Sequence, residues 1–207
     1  MFFLFFLVII ILLMIPTKNI FVTGNKILSD QMIIDKAELT DYPNLYQISL
    51  RRKADKLEKN DYIIEAVLRR HGFSEIHIAI KENYPLFLID YQDKTVLLDG
   101  TKVADEFATP VLINYVPDLV YEDFLRQMQT VDQDVLFRIS EIKYYPSEFD
   151  EERFLFYMVD GNYVFINLET MDEINDYTFI MEKIIRDFGD KNGVLHLDAG
   201  GYFEPFQ

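Results

Sequence analysis

The chain opens with sixteen residues, MFFLFFLVIIILLMIP, that carry no polar side chain; polarity begins at Thr17-Lys18. As a helix rising 1.5 Å per residue the run reaches about 24 Å, a little short of the ~30 Å of bilayer hydrocarbon. Thr17 at the interface and local thinning make up the difference. Length and apolarity predict a membrane anchor at residues 1–16 rather than a core helix, which would carry polar punctuation. No Ala, Gly or Ser precedes Gly24, so a signal-peptidase site is missing and the segment is expected to stay attached.

Beyond the anchor the pattern changes period several times. Residues 18–23 alternate loosely and meet Gly24-Asn25, a pair that tolerates positive φ. Ser29 fits an N-cap with Asp30 placed for the helix dipole, and Ile33, Ile34 and Ala37 give the short helix an apolar side. After Tyr42-Pro43-Asn44, Leu50, Ala54 and Leu57 recur at helical spacing, with Arg51, Arg52, Lys53, Lys56 and Lys59 on the other faces. DYIIEAVLRR reads as a strand. SEIHIAIKE is the cleanest period-two run: Ile76, Ile78 and Ile80 point one way, Glu75, His77, Ala79 and Lys81 the other. Residues 18–82 thus read strand, helix, helix, strand, strand.

From Tyr84 the pattern is mainly β. PLFLIDY and KTVLLDG form an expected hairpin ending at Asp99-Gly100, followed by TPVLINY. Residues 119–130 are helical, with Tyr121, Phe124, Leu125 and Met128 on one face. VLFRISEIKYY and RFLFYMV are strands, and Asp160-Gly161 joins the latter to NYVFINL as a hairpin. DYTFIMEKIIRDFG is a helix with Ile180, Ile184 and Phe188 in line and Gly189 as C-cap. GVLHLDA is the last expected strand.

Composition sharpens this picture in two places. The net charge of −15 is uneven. Residues 17–84 hold eleven Lys/Arg against ten Asp/Glu, and residues 85–207 hold nine against twenty-five. That step predicts two modules with different surfaces, and the acidic one disfavours nucleic acid. Half the residues are hydrophobic, with 18 Phe and 13 Tyr, enough for a folded core. Cysteine is absent, which excludes disulfides, zinc ribbons and thiol catalysis.

Catalytic chemistry finds no foothold. His71, His77 and His196 are scattered, with no helical H-x-x-x-H pair. FGDKNGVLHLDA offers Asp190, Asn192 and Gly193 but fails the register of a calcium loop. No G-x-S-x-G, Walker or dinucleotide motif occurs. No catalytic residue, metal, cofactor or small-molecule substrate is expected.

One resemblance ties these pieces together. NIFVTGNKILSDQMI resembles the POTRA opening of the bacterial cell-division family FtsQ, called DivIB in Gram-positive lineages. NLYQISLRRKADKLEKNDYIIEAVLRR, IHIAIKENYPLFLI with its Glu82-x-x-Pro85 ending, and LLDG follow in the same order. DGNYVFINL, a helix and GVLHLDAGGYFEPF resemble that family's β domain, although Asn167-Leu168 stands where the family has a Gly.

The resemblance implies an α+β chain: a transmembrane anchor at 1–16, a β-α-α-β-β POTRA domain at 17–84, and a mostly antiparallel β domain with accessory helices at 85–207. The family carries a cytoplasmic tail ahead of its anchor, whereas this chain begins inside the apolar segment. Loop basicity alone favours a cytoplasmic body; the resemblance implies an extracytoplasmic one, enriched at the septum. It implies a non-enzymatic scaffold that binds FtsL-like and DivIC/FtsB-like division proteins and meets the bilayer through residues 1–16. A translocation or secretion factor with a POTRA domain is the alternative.

Family partners add a strand near the end of the β domain, which points to Val194, Leu195, His196, Leu197, Asp198, Tyr202 and Phe203 as partner-binding residues. In that reading residues 194–198 form an exposed edge with Leu195 and Leu197 on one face and Val194, His196 and Asp198 on the other. Gly200-Gly201 ends the pairing, and Tyr202 and Phe203 are aromatic anchors. An ordinary core strand fits the same residues.

Overall fold

The computed structural model describes residue 10, residues 14–189 and residues 191–207, in two compact units, Met1–Tyr84 and Pro85–Gln207. The expected anchor falls largely outside the described residues. Among those described, no helix is long and apolar enough to cross a membrane.

The first unit runs β1 (Asn19–Thr23), α1 (Asp30–Lys36), α2 (Leu50–Leu57), β2 (Ile63–His71) and β3 (Glu75–Glu82). Its sheet has the order β1-β3-β2, with β1 parallel and β2 antiparallel to β3. Ile76, Ile78 and Ile80 are buried, as their alternation requires, together with Ile33, Ala37, Leu39, Leu45 and Leu57. Ser29 Oγ accepts from the Met32 N–H at 3.2 Å and caps α1. The basic face of α2 is not simply solvated. Glu38 pairs with Lys53 at 3.0 Å and with Lys56. Its hydrogen bonds to Lys56 and then Lys53 pull its carboxyl down to about 2.

The Gly24 turn is held by the neighbouring end of β3. Gly24 takes φ 89°, and a Cβ there would stand 2.0 Å from the Ile80 carbonyl oxygen. The Glu82 carboxylate accepts from the backbone N–H groups of Lys26 (2.9 Å), Ile27 (3.0 Å) and Leu28 (2.7 Å). Glu82 is 6 % exposed, so its charge is satisfied by peptide dipoles rather than by water.

The second unit is a nine-stranded sheet. Its strands are β4 (Pro85–Ile89), β5 (Lys94–Leu97), β6 (Lys102–Val103), β7 (Val111–Leu112), β8 (Ile139–Tyr144), β9 (Arg153–Met158), β10 (Tyr163–Asn167), β11 (Gly193–His196) and β12 (Tyr202–Pro205). They are ordered β12-β11-β10-β9-β8-β7-β4-β5-β6. Pairing is mostly antiparallel; β10/β11, β4/β7 and β7/β8 are parallel. Its helices are α3 (Asp118–Met128), α4 (Gln133–Leu136) and α5 (Tyr177–Phe188), the last preceded by a 3-10 turn at Met171–Asp176. The core is aromatic: Phe124 stacks on Phe154 at 4.6 Å and lies 5.2 Å from Phe87.

Several local expectations change. Val135 and Leu136 are helical in α4, not strand. Both are buried, and a strand would have turned one of them outward. TPVLINY contributes only the two residues of β7. On α5 the buried line is Tyr177, Met181 and Ile184 while Ile180 is only half-buried, and the Phe188 side chain lies outside those described. At Asn167, where the resemblance leads one to expect a glycine, a side-chain turn forms: Asn167 Oδ1 accepts from the Thr170 N–H at 3.0 Å and from Thr170 Oγ1 at 2.9 Å.

Candidate partner-binding surface

The expected edge strand is not an edge. β11 lies between parallel β10 and antiparallel β12, with Leu195 opposite Val164 and Phe203. The physical reason is the glycine pair. Gly200 and Gly201 adopt φ of 91° and 77°, a left-handed conformation cheap only for glycine, and the Gly201 N–H donates to the His196 carbonyl at 2.9 Å. The pair therefore turns the chain back instead of ending the pairing, and β12 becomes the edge of the sheet. Pro205 in β12 suits that place, because an edge residue has no need of a second ladder donor.

Close approach fixes the new edge. A Cβ on Gly193 would meet the Glu204 carbonyl oxygen at 2.3 Å and the Phe203 ring at 2.6 Å. The Gly193 N–H donates to Asn162 Oδ1 at 2.9 Å, and Asn192 Nδ2 donates to the Asp160 carbonyl at 3.0 Å. Tyr177 Oη donates to Asp160 Oδ2 at 2.8 Å. Burial first, and then this bond, raises the Tyr177 phenol well above its ordinary range. The Asp160-Gly161-Asn162 turn of the β9–β10 hairpin thus ties together the start of β11 and the start of α5.

The proposed site residues fall on two faces. Leu195 and Leu197 are buried, at 1 % and 2 %, so a partner cannot reach them in the folded chain. Phe203 shares their face, half-buried opposite Leu195. Val194, His196 and Tyr202 belong to the opposite, more open face. There the His196 ring lies between Phe165 (5.3 Å, 26°) and Tyr202 (4.4 Å, 9°). Arg153 sits over Phe165 at 3.7 Å, and its Nε donates to Asp198 Oδ2 at 2.6 Å. The other oxygen, Asp198 Oδ1, is buried with no hydrogen-bond partner and lies 3.6 Å from His196 Nδ1.

This stack extends beyond the expected residues. Tyr145 lies 5.6 Å from Phe165, Tyr157 packs on Tyr163 at 4.9 Å, and Tyr163 packs on Phe206 at 5.1 Å. Tyr145, Tyr163, Tyr202 and Phe206 remain exposed. Each aromatic pair contributes about 0.5–1.5 kcal/mol beyond its area, so the face is ordered yet open, the condition that lets aromatic residues act as interface anchors. Its sequence signal was present in the second register of RFLFYMV and NYVFINL, whose outward positions carry Arg, Tyr and Phe instead of the usual small polar residues.

Known proteins resemble this chain along most of its length. Residues 15–83 match the POTRA domain of FtsQ type. Cell division protein DivIB of Bacillus subtilis strain 168 is 27 % identical over 216 residues, covering 98 % of this chain and 81 % of that protein. DivIB of Listeria monocytogenes EGD-e is 28 % identical over 203 residues, covering 91 % and 72 %. DivIB of Geobacillus kaustophilus is 28 % identical over 195 residues, covering 89 % and 73 %. Among solved structures, the major extracytoplasmic domain of DivIB from Geobacillus stearothermophilus aligns with 52 % of this chain and 98 % of its own, at TM-score 0.41 and 21 % identity. The chain thus has an FtsQ-type POTRA match at residues 15–83 and is similar to DivIB cell-division proteins of the FtsQ/DivIB family along about nine-tenths of its length or more.

Proposed function

We propose that the chain is a non-enzymatic scaffold of the division machinery. Residues 1–16 tether it to the membrane, residues 17–84 form its POTRA domain, and residues 85–207 form a β domain that docks other bitopic division proteins of the FtsL and DivIC/FtsB type. The body is extracytoplasmic and concentrates at the septum. Relatives named as cell division proteins along nearly the whole chain support the division role.

The observation that carries the docking reading is the contrast between the two edges of the nine-stranded sheet. β6 is two residues long and presents Lys102, and a short, charged edge resists strand addition. β12 is four residues long and continues an open aromatic face through Tyr202 and Phe206. An extended partner segment added beside β12 would gain main-chain hydrogen bonds from the edge and side-chain contacts from that face. The partner-binding residues are then Tyr202 and Phe203 at the edge, with Val194 and His196 of β11 and Asp198 just after it supporting them.

The test of the wider role is a fluorescent fusion to the full chain in dividing cells. Septal enrichment that appears with constriction is expected. Uniform membrane signal through the cell cycle contradicts the proposal.

A further inference from the structure

His71 ends β2 and lies directly across from Glu75, the first residue of β3; His77 follows on the same strand. A cross-strand pair and its i+2 neighbour share one sheet face, so the turn through Gly72 gathers three ligand-type side chains that read as scattered along the sequence. Glu75 Oε2 is 3.2 Å from His71 Nδ1 and 3.9 Å from His77 Nε2. One ligand atom from each residue lies within 4.8 Å of the others. Tetrahedral coordination at ordinary zinc bond lengths needs ligand atoms about 3.3 Å apart, a distance that small rotations of the two exposed imidazoles supply.

Two further features favour coordination. Asn19 Nδ2 donates to Glu75 Oε1 at 3.1 Å, which fixes the carboxylate and leaves Oε2 turned to the histidines, as outer-shell groups do at metal sites. The other side of β3 is locked by buried Ile76 and Ile78, so the ligands stand on a rigid element.

We propose that His71, Glu75 and His77 form a surface site for a divalent transition metal of the imidazole-and-carboxylate class, with water completing the coordination. Two imidazoles and one carboxylate suit Zn²⁺, Cu²⁺ or Ni²⁺, and disfavour Mg²⁺ and Ca²⁺, which prefer all-oxygen shells. The site is independent of the docking surface on residues 194–206.

The test is calorimetric titration of the untagged full chain in detergent with Zn²⁺. One saturable ion per chain is expected, without competition from Mg²⁺. Affinity should fall about tenfold or more in His71→Ala, His77→Ala and Glu75→Gln, and stay unchanged in His196→Ala. A variant-free measurement uses paramagnetic Cu²⁺, which should broaden the ring resonances of His71 and His77 before those of His196. No saturable binding, binding untouched by His71→Ala and His77→Ala, or broadening that begins at His196 overturns the site.

Discussion

Glu82 shows how one side chain sets the geometry of the first unit. Its carboxylate gathers three consecutive backbone N–H groups, from Lys26 to Leu28, just after Gly24 has let the chain pass against the Ile80 carbonyl. The glycine-asparagine turn was legible, because only certain residues tolerate positive φ. The role of Glu82 was not, since its partners are peptide groups more than fifty positions away and every residue but proline offers one. Hydrogen bonds to a charged acceptor contribute about 1.5–3 kcal/mol. Glu82→Gln turns one acceptor into a donor facing N–H groups, so it should destabilise this unit by about 2–3 kcal/mol. Urea denaturation followed on the Ile76 and Ile78 methyl resonances measures the effect. A change below about 0.5 kcal/mol, the range of ordinary surface substitutions, would show that the clamp is dispensable.

At the scale of elements, periodicity carried most of what was readable. The β3 alternation, the Ser29 cap and the Asp160-Gly161 hairpin all stand where their patterns put them. The elements that escaped are those whose conformation depends on tertiary context. β6 and β12 are short, α4 occupies a β-like apolar run, and α5 buries Tyr177 and Met181 rather than Ile180. Gly200-Gly201 was read as a terminator because a glycine pair permits either an end or a reversal, and only the fit of Gly193 against β12 decides. The same dependence makes the α5–hairpin junction sensitive to pH. Tyr177 is held neutral by burial and by Asp160, so its folded-state value lies above the unfolded value of ~10. That contribution is complete below pH ~10 and is lost as pH rises past it. Stability should decline with a measurable slope in that alkaline range, and Tyr177→Phe should reduce the slope. An unchanged slope in the variant would place the alkaline sensitivity elsewhere.

At the scale of the whole molecule, the account turns on which edge of the nine-stranded sheet receives a partner. The resemblance pointed to residues 194–203, but strand order could not be read from sequence, and the edge strand is β12 rather than β11. Leu195 and Leu197 belong to the core, and Tyr202 takes the exposed place. The open tyrosines beside it then become candidate anchors, for which truncation typically costs about 2 kcal/mol or more at an interface. The most direct test is amide hydrogen exchange on the full chain with and without a purified partner pair of the FtsL and DivIC/FtsB type. Strand addition at β12 predicts that amides among residues 202–206, Pro205 having none, are slowed on binding while those of β6 are not. Binding of the pair with exchange at residues 202–206 unchanged would contradict the account.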